Sequence, residues 1–461
     1  MPSPHHPAGH LREGRHRRPP DPRARYGTLF RNREFRWLSA AQALSFLGDQ
    51  FAQVAIALLV YDRTGSPLLT AVAYALTYLP PIAGGPLLSW LADVFPRRRV
   101  MVACDLIRMA TVGLMAFRGM PFWALCALLI CTVLLGAPFF SARAALMPDI
   151  LPGNQLGLGS AVGNMLHQST QILGFVAGAA VVAALGSYRT LALDALSFGV
   201  SAIVVLAGVR PRPAPQRADT ARGDIARADA MEAGTARAAR MRSSTARHAP
   251  GAHARQRAAR GGAADGIRLV FGNRLLRTLM LFGWLAGFYV MPEGLAAPYA
   301  HALGGDAVTV GLLMASVPAG TALGAALVGR LARPSTQLWT MGWLAIMSCA
   351  PLVASICDPP LWAVLSLWVL AGVGGSFQVI AIPAFARILT PAERGRAFGV
   401  AQSGLYAVQG IGILAGGAIA DVLGAPTAVG LSGVAGMLAA AGLAMNWTRL
   451  RRRVIADLRS S

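Results

Sequence analysis

Two acidic residues stand in stretches of sequence that are otherwise apolar. Asp49 lies about midway along the first such stretch, and Glu293 lies about midway along the seventh, between Pro292 and Gly294. A carboxyl is costly in a bilayer, so each is a candidate for carrying a proton or binding a ligand. Pro292 and Gly294 loosen a helix, as expected of a segment that lines a cavity. We expect Glu293 to couple protons or bind substrate, with Asp49 as the second candidate. The alternative for Glu293 is a hydrogen bond to a neighbouring helix.

Weaker polar candidates occur in other apolar stretches. Asp105 and Arg108 lie one helical turn apart and are predicted to form a structural charge pair. Asp194 is expected to bond within its own bundle. Asparagine and glutamine side chains recur at helical spacing, where they either line a cavity or join helices. These are Asn164, Gln168 and Gln171 in the fifth stretch, where His167 belongs to the same stripe, Gln378 in the tenth, and Gln402 and Gln409 in the eleventh.

The elements that carry these residues are predicted to be membrane helices. Apolar residues make up 55% of 461 positions and charged residues 13%, so most of the chain must lie in lipid rather than around one soluble core. A helix needs about 20 mainly apolar residues to cross a bilayer. Twelve stretches, spans 1 to 12, meet that length: 37–60, 67–91, 99–118, 121–146, 156–185, 188–209, 276–300, 307–329, 337–357, 360–386, 397–422 and 425–446. We predict an all-α membrane protein with six spans on each side of a long polar insert.

The chain carries the same pattern twice, about half its length apart. The sequence F-x-N-R-x-x-R-x-L begins at Phe30 before span 1 and at Phe271 before span 7, an offset of 271 − 30 = 241. A second match, at 409 − 171 = 238, pairs Gln171, Gly174, Gly178 and Gly186 with Gln409, Gly412, Gly416 and Gly424. Duplicated halves are typical of transporters that rock one half against the other around a site between them. The repeat therefore predicts two pseudo-symmetric six-helix bundles.

The net charge of +22 is carried by arginines that collect on one side of the predicted topology. They cluster in the N-terminal tail, between spans 2 and 3, in the central insert and at the C-terminus, whereas loops on the other side are short. This bias predicts that both termini are cytoplasmic, and it favours contact with anionic lipid headgroups. Nucleic-acid binding is not expected, because the arginines do not form a groove. Arginine without lysine, with abundant Ala, Gly and Pro, indicates a GC-rich bacterial genome and hence a bacterial plasma (inner) membrane.

Five segments follow from these patterns. Residues 1–29 are predicted to be a disordered basic cytoplasmic tail, and 210–264 a disordered Arg- and Ala-rich cytoplasmic linker, because neither has enough large apolar side chains to offset the entropy of ordering. The N-terminal half comprises 30–209 and the C-terminal half 265–447, followed by a basic cytoplasmic tail, 448–461.

Several classes of function lack their motifs. The five cysteines have no C-x-x-C spacing, so neither a disulfide framework nor a zinc site is expected. The phosphate loop G-x-x-x-x-G-K-[ST] is absent, which argues against ATP-driven transport. There is no metal-ligand cluster or nucleophile elbow to indicate an enzyme, and no filter-like repeat to indicate a channel. We expect no cofactor.

The strongest local motif joins spans 2 and 3. Asp93 ends one helix and Arg97 and Arg98 open the next, a charge arrangement that suits a latch on the cytoplasmic face. This loop resembles the signature of the major facilitator superfamily, G-x-L-A-D-R-x-G-R-R. The matching positions are Leu91, Ala92, Asp93, Arg97 and Arg98, whereas Ser89, Val94 and Pro96 depart from it.

The resemblance extends to spans 4, 5 and 11. Residues 139–152 are similar to the inner end of helix 4 in bacterial drug and siderophore exporters of this superfamily. Gly174 and Gly178 in span 5, and Gly412 and Gly416 in span 11, resemble the antiporter motif G-P-x-x-G-G, although both copies lack the proline. The alternative is that these glycines form faces that let helices approach closely.

The resemblance implies a proton-coupled exporter of amphipathic small molecules, such as a drug or secondary metabolite, that works by alternating access. Its partners would be a small-molecule substrate, protons and the lipid bilayer, and we expect a monomer. The alternatives are proton-coupled uptake of a small metabolite and a non-transporting membrane scaffold or sensor. Flux that follows a pH gradient separates a carrier from a scaffold. The identity of the substrate does not follow from the sequence.

Overall fold

The computed structural model describes residues 26–151, 155–213, 264–330 and 334–460, and these ranges contain helices and turns but no strand. Most of the predicted tail 1–29 and of the predicted linker 210–264 lies outside the described residues. Two segments differ from the predicted boundaries. Tyr26–Leu29 forms a short helix in which Leu29 is fully buried, and the last helix continues to Ser460, into the predicted tail 448–461.

The N-terminal half contains spans 1 to 6. Their helices are Arg33–Thr64 (span 1), Pro67–Ala75 and Pro80–Leu88 (span 2), Arg97–Met115 (span 3), Phe122–Leu134 and Gly136–Ile150 (span 4), Leu156–Leu185 (span 5) and Ser187–Gly208 (span 6). A one-turn helix, Leu91–Val94, lies in the loop between spans 2 and 3.

The C-terminal half contains spans 7 to 12, and span 7 is the most broken. Its helices are Arg274–Trp284, Ala286–Tyr289, Met291–Gly294 and Ala296–Ala302 (span 7), Ala307–Gly329 (span 8), Pro334–Met347 with the 3-10 helix Ala350–Cys357 (span 9), Leu361–Gly375 and Phe377–Ile388 (span 10), Pro391–Leu423 (span 11) and Ala425–Ser460 (span 12). Residues 264–272 form a further helix before span 7.

The count of twelve spans agrees with the prediction. Eleven helical stretches among the described residues are long and apolar enough to cross a membrane. The remaining one is span 3, Arg97–Met115, which carries three arginines at its start and Asp105 and Arg108 inside it. Because charged residues lower its mean hydropathy, composition alone does not identify it as a span.

Contacts between the ends of successive spans define two ends of the bundle. At one end, Arg97 at the start of span 3 pairs with Asp149 at the end of span 4, and Glu34 pairs with Arg212 beyond span 6. We call this the terminal end, because spans 1 and 7 begin there. At the opposite end, the loop end, the turns after spans 1, 3 and 5 carry Gly65, Gly119 and Gly186.

The sequence repeat has a structural cause at both ends of the halves. The repeated asparagine is the N-cap of its span: Asn32 accepts from the backbone N–H of Glu34 at 3.0 Å, and Asn273 from that of Leu275 at 2.9 Å. At the loop end, Gly186 and Gly424 end spans 5 and 11 with φ of 82° and 83°. Residues with a side chain rarely adopt that backbone conformation, which explains why both positions are glycine.

The two halves meet along equivalent pairs of spans. Span 5 packs on span 8, and span 2 packs on span 11, the pair related to it by the repeat. A Cβ on Gly311 would lie 2.1 Å from Cβ of Ala179, and one on Gly417 would lie 2.3 Å from Cβ of Ala71. Small residues therefore allow both contacts, as at many interfaces between membrane helices.

Candidate functional site

A cavity of about 430 Å³ lies between spans 1 to 6, with one residue, Tyr406, contributed by span 11 of the other half. Its polar lining includes Asp49, Gln50, Gln53, Arg108, Thr132, His167 and Asp194. Its aromatic lining includes Phe46 and Phe140, whose ring centroids are 5.4 Å apart. The His167 ring packs edge-on against Phe46 at 4.9 Å. The cavity thus combines a charged wall with apolar and aromatic surfaces.

Asp49 forms the charged wall together with Arg108. The Arg108 Nη2 donates to Asp49 Oδ1 at 2.7 Å, and its Nη1 donates to Ser45 Oγ at 3.3 Å. The guanidinium carbon lies 4.1 Å from the centroid of the Phe198 ring. The Arg108 side chain is 5% exposed and that of Asp49 is 24% exposed. Asp49 therefore presents the accessible side of a buried ion pair that joins spans 1 and 3.

The predicted charge pair of Asp105 with Arg108 is wrong. Asp105 Oδ2 accepts instead from Ser201 Oγ of span 6 at 2.7 Å, and its Oδ1 is buried with no hydrogen bond among the described residues. The reason is direction: Arg108 points toward span 1, where Asp49 offers a closer carboxylate. Residues one turn apart share a face of the helix, but Asp49 on the neighbouring helix competes with Asp105 for the Arg108 side chain.

Asp194 adds a third carboxyl to this region. It packs against Gly48, where a Cβ would lie 2.1 Å from Asp194 Oδ1, and it accepts from Ser197 Oγ at 3.2 Å. Its Oδ2 is buried without a hydrogen bond among the described residues. Asp49, Asp105 and Asp194 thus surround one guanidinium. If all three were ionised, this guanidinium could balance only one of their charges.

Glu293 lies outside the cavity, at the contact between the halves. It is 3% exposed, and its Oε2 accepts from the Tyr74 hydroxyl of span 2 at 3.0 Å. It is not midway along span 7 but nearer the loop end, 293 − 274 = 19 residues from Arg274 and 302 − 293 = 9 from Ala302. Span 7 is broken around it, as expected from the flanking proline and glycine.

A row of tyrosine rings connects Glu293 to the cavity. The Tyr74 and Tyr78 ring centroids are 6.0 Å apart, and those of Tyr78 and Tyr406 are 6.4 Å apart. Because Tyr406 lines the cavity and Tyr74 bonds Glu293, the rings form a continuous row between the acid and the cavity. No sequence pattern indicated this row, since its members come from both halves.

Of the residues in the predicted polar stripes, His167 lines this cavity, whereas the asparagine and the glutamines do not. Gln378 donates to the Tyr289 hydroxyl and joins spans 10 and 7. Gln168, Gln171 and Gln409 are half-buried, whereas Asn164 and Gln402 are exposed. The glutamines that do line it, Gln50 and Gln53, follow Asp49 on span 1. Their i+1 and i+4 spacing from Asp49 was a usable signal that our interpretation of the sequence missed.

The predicted latch residues make contacts within the N-terminal half. Arg97 Nη1 donates to Asp149 Oδ2 at 2.7 Å and to the Ala145 carbonyl at 2.8 Å, which joins the loop before span 3 to the end of span 4. Arg98 donates to the Leu206 carbonyl of span 6. The Asp93 side chain is exposed and makes no hydrogen bond or ion pair within the described ranges. The latch role stays a prediction.

Contacts across the two halves occur at the loop end. The Ser66 hydroxyl donates to Asp421 Oδ1 of span 11 at 2.9 Å, and the Tyr61 ring packs on His301 at 5.4 Å. With the bond between Tyr74 and Glu293, these contacts hold the halves together on that side. Asp421 is a residue that sequence analysis missed, because its partner is 355 residues away. In the part of the chain that is described, no group of His, Cys, Asp and Glu could hold a metal ion.

Comparison with known proteins identifies the family. The sequence profile of the Major Facilitator Superfamily matches residues 38–332 and 294–460. The multidrug efflux pump Tap of Mycobacterium tuberculosis (strain ATCC 25618 / H37Rv) is 26% identical over 409 residues, which cover 83% of this chain and 86% of Tap. Macrolide efflux protein A of Streptococcus pyogenes is 27% identical over 180 residues, 37% of this chain. This match covers 44% of macrolide efflux protein A, and the matches with two uncharacterised MFS-type transporters of Bacillus subtilis, YkuC and YfiS, likewise span less than half of the relative's length.

Solved structures agree with the fold. The crystal structure of the nucleoside transporter NupG is similar with a TM-score of 0.67 and 13% identity, over 90% of this chain and 99% of that one. At that identity the likeness concerns the fold alone. The match of the profile covers most of the chain and both of its halves. The chain therefore belongs to the Major Facilitator Superfamily, and it is a multi-pass membrane protein with two six-helix halves.

Proposed function

We propose that this protein is a proton-coupled exporter of amphipathic small molecules that works by alternating access. The observation that carries the proposal is the cavity beside Asp49, where a carboxylate that is 24% exposed faces aromatic walls. Its volume of about 430 Å³ lies in the range of small-molecule sites, about 300–1,000 Å³. An amphipathic substrate fits such a lining, because its apolar body can pack on Phe46 and Phe140 while a polar group reaches Asp49 or Gln53.

Glu293 is the proposed coupling residue. A charged carboxylate in a membrane interior costs about 3 kcal/mol, and Glu293 is almost completely buried while the loop end is closed. Closure of the loop end is therefore easier when the acid carries a proton. Opening of the loop end admits water to Glu293 and removes that penalty. Protonation from the loop side thus favours return to the described arrangement, in which the halves touch at the loop end.

The acids around Arg108 are proposed to connect substrate and protons. A polar group of the substrate that binds Asp49 competes with the Arg108 guanidinium 2.7 Å away. Release of that guanidinium leaves it free for Asp105 or Asp194, whose unpartnered oxygens lie buried nearby. Substrate binding and proton loss from this cluster are thereby linked, as an antiporter requires.

The orientation follows from the arginine bias. We propose that the terminal end faces the cytoplasm of a bacterial cell, with both termini and residues 210–264 on that side. The protein would act as a monomer whose two halves, 30–209 and 265–447, rock against each other. A latch formed by Asp93, Arg97 and Arg98 would hold the terminal end when it closes. The described arrangement, joined at the loop end, would then receive substrate from the cytoplasm.

The names of the relatives support export over uptake. Tap is described as a multidrug efflux pump and its match covers both halves of the present chain, and macrolide efflux protein A is named for the efflux of macrolides. Export of amphipathic compounds by this chain remains our proposal.

Transport in proteoliposomes tests the proposal. The purified full chain is reconstituted and loaded with each compound of an amphipathic panel, and a pH gradient is imposed in either direction. We expect at least one compound to move against its own gradient when protons flow the opposite way, and that movement to stop with a protonophore. If no compound moves with either gradient while substrates still bind, the scaffold interpretation replaces the carrier. If substrate and protons move in the same direction, uptake replaces export.

A further inference from the structure

A groove on the outer surface of the N-terminal half shares Arg98 with the proposed latch and otherwise has no part in the mechanism described above. It has a volume of about 990 Å³ and lies at the terminal end, between the start of span 3 and the end of span 6. Three arginines line it, and the rest of its lining is apolar or proline, without an acid. Leu106 and Leu206 are 46% and 48% exposed there, so their side chains face outward rather than into the bundle.

The groove changes from basic to apolar along span 3. Arg98 and Arg99 lie in the first turn, and Val102 and Leu106 follow on the same side of the helix. The eight steps along the helix from Arg98 to Leu106 correspond to about 12 Å. A phospholipid changes in the same order, from its phosphate at the membrane surface to its acyl chains below.

The arginines at the basic end of the groove are not all paired with an acid. Arg212 is paired with Glu34 through bonds of 2.8 and 3.2 Å. Arg98 donates to the Leu206 carbonyl, but its Nε is buried with no hydrogen bond among the described residues. Arg99 is exposed and has no ion pair within those residues. No side chain caps the start of this helix, so its positive dipole end adds to the two arginines.

We propose that this groove is a binding site for one anionic phospholipid from the leaflet at the terminal end. The phosphate lies against Arg98 and Arg99, and an acyl chain lies along Val102, Leu106 and Leu206. Basic pockets between membrane helices recognise anionic headgroups in this way. Asp93, in the preceding turn, does not line the groove and therefore does not oppose the phosphate directly.

Native mass spectrometry of the purified full chain tests the site, with phosphatidylglycerol and phosphatidylcholine of equal chain length as the probes. We expect one phosphatidylglycerol to bind in preference to phosphatidylcholine. Arg99→Gln should weaken its binding about five-fold, and Arg98→Gln with Arg99→Gln about 30-fold, since each arginine near the surface contributes similarly. Binding of phosphatidylcholine should not change. The matched control is Arg36→Gln, an exposed arginine at the same end that does not line the groove.

Three outcomes overturn the proposal. The first is equal binding of the two lipids by the wild type, and the second is an equal loss in Arg36→Gln and Arg99→Gln. The third is displacement of the lipid by millimolar inorganic phosphate, which would indicate a site for free phosphate instead. Arg99 is exposed, so Arg99→Gln is expected to fold even if the double variant, which loses the bond to Leu206, does not.

Discussion

Removal of the Tyr74 hydroxyl should open the loop end. In Tyr74→Phe the ring stays in place, but Glu293 loses the donor that lies 3.0 Å from its Oε2 in the other half. A hydrogen bond of this kind contributes about 1 to 2 kcal/mol, more when the acceptor is charged. The two residues separate when the halves part at the loop end, so only the closed arrangement loses this energy. The population ratio of closed to open should therefore fall about 5- to 30-fold.

Distances between spin labels at the loop end measure this ratio. After the five native cysteines are replaced, Leu185→Cys and Leu423→Cys place labels at equivalent, exposed ends of spans 5 and 11. We expect a longer distance component to grow in Tyr74→Phe. The matched control is Tyr61→Phe, which keeps the ring contact with His301 and whose hydroxyl has no hydrogen bond within the described ranges. Identical distributions in Tyr74→Phe and wild type would refute the idea that Tyr74 and Glu293 hold the loop end closed.

Three further predictions concern the ion pair, the latch and the topology. Asp49→Asn removes the carboxylate that pairs with the buried Arg108 guanidinium and should cost about 3 kcal/mol of stability. This loss should appear as a lower unfolding temperature in detergent. A variant as stable as the wild type would contradict the ion pair. Asp93→Asn should leave the distances between the loop-end spin labels unchanged or make them shorter. The reason is that the Asp93 side chain has no partner within the described residues when the loop end is closed, and is proposed to bond only when the terminal end closes. A shift toward longer distances would contradict the latch. In intact cells a membrane-impermeant maleimide should label Arg189→Cys and not Pro213→Cys, both at exposed positions, and the reverse pattern would invert the proposed orientation.

The sequence was sufficient for the architecture because its signals are local. Each span is a continuous apolar stretch, and the caps at Asn32 and Asn273 or the glycines that end spans 5 and 11 act within a few residues. The repeat therefore predicted the two halves before any contact between them was known. Span 3 was predicted from its length and flanking loops, although its charged residues make its mean hydropathy too low to identify it as a membrane span.

The partners of the buried charges could not be predicted, because they depend on how the helices are rotated and packed. Arg108 bonds Asp49, 59 residues away, rather than Asp105 in its own helix. Glu293 was found because an acid in apolar sequence is rare, but its donor Tyr74 is 219 residues away in the other half. A tyrosine in an apolar helix has many other roles, so nothing local distinguished this one.

The central claim is tested most directly by proton movement during substrate transport. Proteoliposomes that contain the protein and a pH-sensitive dye receive an outward substrate gradient with no initial pH difference. We predict that the wild type moves protons inward as substrate leaves. Glu293→Gln, which keeps an acceptor for Tyr74 but cannot exchange a proton, should bind substrate and move no protons. Substrate efflux without proton movement in the wild type, or undiminished proton movement in Glu293→Gln, would contradict the account.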